Sequence, residues 1–408
     1  MSYISIQEVL LPKSNVDYTK WSVIACDQFT SQNEYWEKLE KIVGKEYSSL
    51  NLIFPEVYLN KIDNEKKVED INNSMIQYLN DDIFDSYNNF IYLEREIAPG
   101  VIRKGLVIAI DLEAYNYAPN AKCPIRATEK TVKERLPIRI QIRKDAKLEL
   151  PHICLFMDDV NDDILSSLAK NKDNMKKLYD FNLNMEGGRI QGFLVEDSKG
   201  VQQKLDSLLN KDLLRQKYGS DEELLFVVGD GNHSLATAKE CWELIKKGLT
   251  DKEIENHPAR YALCELQNIH DEAIKFEPIH RFMEYADYSF INYLKNNLNG
   301  DGEIKIYFNG KYETIAVPSD PTLAIAKIQK AIDDYMEQDT SVEIDYIHGD
   351  EYLIDIVNKK GGVGVFMPRV EKKSLFDYVC HNGVMPRKSF SIGHAESKRY
   401  YLEAHKVR

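Results

Sequence analysis

The sequence predicts an α+β fold, and two features of its 408 residues indicate this class. Short apolar runs rich in β-branched residues predict buried strands, at residues 21–26, 105–112, 153–157, 224–228 and 362–367. Longer amphipathic patterns predict helices, at residues 31–47, 162–181, 201–218, 234–248 and 323–338. Because the two kinds of segment do not alternate regularly, as they would in a doubly wound sheet, we expect α+β.

The length of the chain favours two domains or one elaborated domain. Composition changes most sharply near residues 297–308, where Asn and Gly indicate a connecting segment. We therefore expect a core with insertions over residues 1–290 and an α+β region over residues 291–408 that packs on it.

Charge and composition narrow the classes of partner. The net charge of −13 disfavours binding to a nucleic-acid backbone. No apolar stretch is long enough to span a bilayer, and the first residues lack the pattern of a secretion signal. The six cysteines are scattered without a C-x-x-C pair, which favours reduced thiols. We expect a cytoplasmic protein without nucleic-acid or membrane partners, and an oligomer is possible.

The segment G-D-G-N-H-S at 229–234 joins a predicted strand to a predicted helix. Its glycines permit a tight turn and leave room for a ligand. The first N–H groups of a helix can bind phosphate. The candidate phosphate-binding residues are Gly229, Gly231, Asn232, His233 and Ser234.

Asp230 does not suit a simple anion site, because its charge would repel phosphate. A carboxylate at this position can instead hold a metal ion, orient a hydroxyl group or accept its proton. The alternative is a plain turn, in which Asp230 and Asn232 bond to the local backbone and Ser234 caps the helix.

This strand–turn–helix segment resembles the D-G-H-H-R phosphate-binding box of the ParB/sulfiredoxin-like superfamily. The whole chain resembles the bacterial and archaeal domain-of-unknown-function family 1015. The other segments that carry the resemblance lie at 21–36, 125–143, 151–159, 257–281, 345–350 and 385–403. The resemblance implies a ParB/sulfiredoxin-like core elaborated with further α/β segments. It also implies kinship with free-serine kinases, some of which use ADP or pyrophosphate to form O-phospho-L-serine.

The resemblance also implies roles for individual residues of the box. Its aspartate falls on Asp230, and its second histidine falls on His233. This chain has Asn232 at the first histidine and Ser234 at the arginine. The missing arginine removes a bidentate phosphate clamp, so the donor or the way it is held must differ.

In the kinases that the chain resembles, the aspartate of the box works as an acid/base pair with a glutamate near the N-terminus. That glutamate has no clean counterpart in this chain. Glu34 is the candidate, and Asp27 is the alternative.

Two basic clusters are further candidates for phosphate binding. Arg126 and Arg135 belong to a basic stretch at 125–144 that suits a polyanion. Acidic residues are interleaved there, so a solvated face is the alternative. Near the C-terminus, Arg387 and Lys388 could close the phosphate site, and surface ion pairs are the alternative.

A polar pocket for the substrate is predicted from Asp271, Glu272 and His280. Hydrogen-bonded structural roles are the alternative for these residues. The spacing of the histidines in this part of the sequence fits no standard metal motif.

Together with the resemblance, these residues predict a small-molecule phosphotransferase that acts on L-serine. Its expected donor is a compact phosphoanion such as pyrophosphate or ADP, and its expected cofactor is Mg²⁺, with Asp230 as metal ligand. The alternatives are a phosphoserine phosphatase that uses the same pocket and a non-catalytic nucleotide-binding module. A sulfiredoxin-like reductase is excluded, because the box contains no cysteine.

Overall fold

The computed structural model describes residues 2–30, 32–131, 136–393 and 395–408. Its internal contacts divide the chain into two compact units. The first unit contains the described residues of 1–274, 379–381 and 394–408, and the second contains those of 275–378 and 382–393. The division that composition predicts at residue 290 remains a prediction.

The strands are short to medium in length and occur along the whole chain. In chain order they are β1 (Ile4–Ser5), β2 (Val9–Pro12), β3 (Phe84–Tyr87), β4 (Phe90–Ala98), β5 (Val101–Asp111), β6 (Tyr115–Asn116), β7 (Ile125–Arg126), β8 (Leu148–Glu149), β9 (Cys154–Met157), β10 (Lys177–Asn182), β11 (Arg189–Val195), β12 (Phe226–Asp230), β13 (Tyr261–Asn268), β14 (Phe276–Glu277), β15 (Ile279–Glu284), β16 (Gly302–Phe308), β17 (Lys311–Val317), β18 (Glu343–His348), β19 (Val363–Val365), β20 (Ser391–Ile392) and β21 (His405–Lys406).

The helices range from single turns to long amphipathic segments. In chain order they are α1 (Tyr18–Trp21), α2 (Asn33–Val43), α3 (Asn64–Asn80), α4 (Leu136–Arg143), α5 (Asp163–Asn171), α6 (Ser198–Ser207), α7 (Lys211–Tyr218), α8 (Asn232–Lys246), α9 (Asp251–Asn256), α10 (Tyr288–Asn297), α11 (Pro321–Gln338), α12 (Asp350–Lys360) and α13 (Leu375–Asn382). None of the helices in the described part of the chain is long and apolar enough to cross a membrane.

The first unit is built on a ten-stranded mixed sheet with the order β10-β11-β4-β5-β13-β9-β12-β7-β6, and β1 pairs with β5. Both faces of this sheet are buried. On β5, Leu106 and Ile108 belong to one apolar cluster, together with Trp242 of α8. Val107 of β5 faces a second cluster, which includes Ile71 of α3. Burial on both faces explains why residues 106–110 of β5 form a continuous apolar run.

The second unit has a five-stranded antiparallel sheet with the order β17-β16-β19-β15-β18. Phe282 of β15 and Tyr307 of β16 pack against Leu353 and Val357 of α12. The two units together confirm the predicted mixture of helices and strands, whereas the ParB/sulfiredoxin-like assignment remains a prediction.

Most of the predicted elements are confirmed, and three are corrected. The apolar run at 21–26 is not a strand, since its only pairing among the described residues is an isolated bridge from Ile24 to Arg399. The pattern at 162–181 ends its helix at Asn171 and continues into β10. The pattern at 201–218 is divided into α6, which ends at Ser207, and α7, which begins at Lys211. A pattern of apolar residues does not by itself decide the backbone conformation of a segment or the end of a helix.

Gly231 connects β12 to α8 in the left-handed conformation, with φ of +84°. Replacing it with alanine is expected to destabilise the fold by about 1–2 kcal/mol, because a Cβ atom is strained in this conformation. The added atom would also lie 3.1 Å from Ile153. Urea unfolding of Gly231→Ala measures the effect. Gly248→Ala is the control, since its nearest neighbour would be 3.7 Å away. Equal stability of the two variants would contradict the prediction.

Candidate functional site

An ion pair between Asp230 and Lys398 occupies the junction of β12 and α8. The Lys398 Nζ atom lies 2.8 Å from the Asp230 Oδ2 atom. The other carboxylate oxygen, Oδ1, accepts the N–H of Gly231 at 2.8 Å. Burial by itself would raise the pKa of Asp230, but the charge of Lys398 outweighs it, and the pKa lies below its ordinary value. Asp230 is therefore ionised at neutral pH.

Lys398 reaches this position because residues 398–400 run along residues 23–25. The Ala25 N–H donates to the Lys398 carbonyl at 2.9 Å, and the Tyr400 N–H donates to the Val23 carbonyl at 2.9 Å. Burial opposes the charge of Lys398, yet Asp230 and then Asp27 raise its pKa above the ordinary value. The predicted candidate Asp27 thus acts on the same ammonium group as Asp230.

A histidine and a serine lie next to this ion pair. The Nε2 atom of His152 is 2.8 Å from the Ser234 Oγ atom, and its ring packs 4.9 Å from that of Tyr400. The Nδ1 atom of His152 is buried, and none of the described residues offers it a hydrogen-bond partner. Burial raises the pKa of Asp230, and His152 helps to lower it, after Lys398 and the Gly231 N–H.

The sequence alone assigned no role in the site to His152 or Lys398. One signal for His152 was available, since it precedes the apolar run at 153–157. That run forms β9, which pairs with β12 and places Cys154 opposite Asp230. The pairing cannot be obtained from a single sequence, because it joins distant segments.

The first turn of α8 contains the polar side chains of Asn232, His233 and Ser234 and several backbone N–H groups. Gly231 stands at the N-cap and has no side chain with which to cap the helix. The Asn232 amide accepts the Thr128 N–H at 3.2 Å and donates to the Thr128 hydroxyl at 3.3 Å, so it holds the segment that follows β7. His233 is half-buried in the same turn. The backbone N–H groups of a first turn have no partner within the helix and can receive an anion.

Gly229 permits close packing between β12 and β9. A Cβ atom at this position would lie 2.7 Å from the ring of Phe156 on the neighbouring strand β9. The close approach of that ring requires a residue without a side chain.

Arg126 is engaged inside the first unit. Its guanidinium donates to the carbonyls of Cys123 at 2.9 Å and Glu223 at 3.2 Å, and to the Glu222 carboxylate at 3.4 Å. Only 3% of the residue is exposed, so little of its surface is available to a ligand. Arg135 lies outside the described residues.

The residues of the predicted polar pocket are divided between the two units. Asp271 is buried and accepts the backbone N–H groups of Ala273 at 2.9 Å and Lys104 at 3.3 Å. Glu272 is exposed. Both residues belong to the first unit, whereas His280 belongs to the second.

His280 is a buried, hydrogen-bonded residue of the second unit. Its Nδ1 atom accepts the Met367 N–H at 3.0 Å, which leaves the proton on Nε2 to be donated to Asp350 at 2.8 Å. Burial lowers the pKa of His280, although Asp350 opposes this shift.

The remaining candidates lie on exposed positions. Arg387 and Lys388 belong to the second unit, and Arg387 donates to the Tyr346 hydroxyl at 2.6 Å. Glu34 is exposed in the first turn of α2.

The residues present fit Mg²⁺ only in a limited way. Across the described ranges, no group of three or more His, Cys, Asp or Glu side chains could hold a metal ion. Mg²⁺ often binds through one or two carboxylates, water and the phosphates of its substrate. Asp230 or Asp27 can supply such a carboxylate, so the predicted requirement for Mg²⁺ stays a prediction.

Comparisons with known proteins place the chain in a family. No curated protein matches it. Its structure is similar to that of a free serine kinase in complex with AMP, with a TM-score of 0.40 and 11% identity over 74% of this chain and 92% of that one. It is also similar to a conserved hypothetical protein from Pyrococcus furiosus (TM-score 0.36, 14% identity, 70% and 90% covered). A third similarity is to SbnI with C-terminal truncation from Staphylococcus aureus (TM-score 0.37, 9% identity, 72% and 85% covered).

The family model described as "Protein of unknown function (DUF1015)" matches residues 10–341. Since this match covers most of the chain, the protein is a member of the DUF1015 family.

Proposed function

We propose that the protein transfers a phosphoryl group to the hydroxyl of free L-serine. One observation carries the proposal: the Asp230–Lys398 ion pair, 2.8 Å between its charged atoms, stands at the start of α8, where backbone N–H groups are available to an anion. Phosphoryl transfer needs donors around the phosphates and a carboxylate that orients the acceptor. The choice of serine rests on the resemblance given above.

Lys398 supplies the positive charge on the phosphate side. The box that this segment resembles has an arginine where this chain has Ser234, so a cation from another segment must replace it. Lys398 comes from the C-terminal segment and carries a compact charge next to the helix N-terminus. An ammonium group binds phosphate as a point charge and not as a bidentate fork, which allows a different phosphate geometry.

Asp230 and Asp27 supply the carboxylates on the acceptor side. The lowered pKa of Asp230 makes it a weak base that stays charged, which suits it to orient the hydroxyl and to hold Lys398. Asp27 is the candidate that accepts the proton. In the reaction the serine oxygen bonds to phosphorus, the bridging P–O bond of the donor breaks, and the hydroxyl proton passes to the carboxylate.

Mg²⁺ belongs to this proposal as a cofactor that would neutralise the phosphates of the donor. Asp230 or Asp27 would hold it, in part, from the protein side. We propose pyrophosphate or ADP as donor, because a compact phosphoanion suits one helix N-terminus and one lysine.

Phosphorus NMR on the purified protein with Mg²⁺ and L-serine tests the function. Pyrophosphate, ADP and ATP are supplied in separate tubes, and a further tube contains O-phosphoserine alone. Formation of phosphoserine with one donor would support the proposal and identify that donor. Release of phosphate from phosphoserine alone would favour a phosphatase. The absence of any reaction would contradict both activities and favour a binding module.

Replacing Lys398 with methionine is expected to lower kcat/KM for the donor about 100-fold, because the charge that faces the developing phosphate is lost. Methionine keeps most of the length of the side chain. The initial rate of phosphoserine formation at varied donor concentration measures the effect. Lys330→Met is the matched control, since Lys330 pairs with Asp334 on the exposed surface of α11. A Lys398→Met enzyme with full activity would remove Lys398 from the phosphate site.

A further inference from the structure

A cavity of about 140 Å³ lies in the first unit, beside the candidate site. One end is lined by polar groups of that site, among them His152, Ser234 and Tyr400. The rest of the wall is mainly apolar and includes Phe54, Ile138 and Leu148. The cavity thus has one polar end and an apolar body.

The cavity carries little excess charge. Arg139 and Arg143 both line it, and each is paired with a glutamate that also lines it, Glu56 and Glu149 respectively. Paired charges add polarity to the wall but no net attraction for an ion. A ligand that fills the apolar body should therefore be uncharged in that part.

The volume of the cavity limits the size of the ligand group that it can hold. An apolar cavity of about 150 Å³ lined by Leu, Ile and Phe is large enough to hold benzene. Serine has a single side-chain carbon and would leave the apolar body unfilled. A polar atom on the ligand would instead face the end of the cavity lined by His152 and Ser234, where the Nε2 and Oγ atoms lie 2.8 Å apart.

We propose that this cavity binds an uncharged, ring-sized apolar group that presents one polar atom to the His152–Ser234 end. Two parts of the reactants could supply such a group, the base of a nucleotide donor or an aromatic substituent on the acceptor. The assignment of this group to the donor or to the acceptor rests on the proposed phosphotransferase function. The binding of an apolar ring in the cavity does not depend on that function.

The test uses benzyl alcohol as probe and measures its affinity for the whole chain by titration calorimetry, without donor or acceptor. The variant Ile138→Trp places a larger ring in the cavity from the half-buried face of α4, and Ile142→Trp does so from the next turn. Leu244→Trp is the control, because Leu244 is exposed on α8. Circular dichroism confirms that each variant is folded.

We expect at least one of the folded cavity variants to bind benzyl alcohol about ten-fold more weakly, and the control to bind it normally. No binding to the wild-type protein up to the solubility limit would overturn the proposal, as would equal affinity in every folded variant.

Competition experiments then identify the source of the ring. Adenosine is compared with ribose, and 3-phenyl-L-serine is compared with L-serine, so that each pair differs by a ring. Displacement of benzyl alcohol by adenosine assigns the cavity to the donor, and displacement by phenylserine assigns it to the acceptor. Displacement by neither would overturn the assignment. If benzyl alcohol binds but no NMR tube forms phosphoserine, the phosphotransferase proposal is contradicted and the cavity proposal is not.

Discussion

Asp230→Asn is expected to lower phosphoserine formation about 1,000-fold, within the range that a preorganised electrostatic group contributes. Asparagine keeps the size of the side chain and can still accept the Gly231 N–H, which now forms a 2.8 Å bond. It loses the negative charge that orients the hydroxyl and holds Lys398. The kcat of the folded variant, measured with saturating serine and the donor that NMR identifies, gives the effect.

Two controls separate chemistry from stability. The double variant Asp230→Asn/Lys398→Met removes both charges, so it should recover stability and not activity. Asp334→Asn breaks an exposed ion pair on α11 and should leave activity unchanged. Full turnover by Asp230→Asn would exclude Asp230 from the mechanism.

Glu403→Gln is expected to stabilise the protein at alkaline pH. Glu403 is fully buried. Its Oε1 atom accepts the Tyr179 hydroxyl at 2.7 Å, whereas its Oε2 atom has no hydrogen-bond partner in the described ranges. Burial raises the pKa of Glu403 to about 7, although Tyr179 opposes the shift. The folded state therefore keeps a proton that the unfolded state releases at lower pH.

The sign of the effect follows from that difference. Stability is lost as the pH rises from the unfolded pKa, near 4.5, to the folded pKa, about 7. A shift of one pKa unit is worth about 1.4 kcal/mol, so the loss should approach about 3 kcal/mol. Glutamine has no such titration.

Urea unfolding of the wild-type and variant proteins, at about pH 5 and about pH 8.5, measures this loss. As the pH rises between these two conditions, the free energy of unfolding of Glu403→Gln should increase relative to that of the wild-type protein. Glu69→Gln, at an exposed position of α3, is the control and should show no such gain. A pH-independent difference between Glu403→Gln and the wild-type protein would contradict the raised pKa.

Local features of the fold could be predicted from the sequence. The apolar run at 224–228, the two glycines and the amphipathic pattern after them indicate strand, turn and helix, because each depends on neighbouring residues. The structure has β12, Gly231 and α8 in this order. The same segment singled out Asp230 as a carboxylate that is out of place in an anion site.

The partners of these residues were decided by the tertiary structure. Asp230 meets Lys398, and Ser234 meets His152, because sheet pairing and the C-terminal segment bring distant residues together. The tertiary structure also decided which charged residues are buried. Arg126 and Asp271 looked like ligand-binding residues in the sequence, yet their polar atoms bond to the protein itself.

The sequence by itself determined the α+β class and the position of the strand–turn–helix junction, because both follow from local patterns of apolar residues and glycine. Only the tertiary structure decided which side chains form the candidate site and that an apolar cavity lies beside them. The reason is physical: the charge state and availability of a polar group depend on burial and on nearby charges, and both are set by residues far away along the chain.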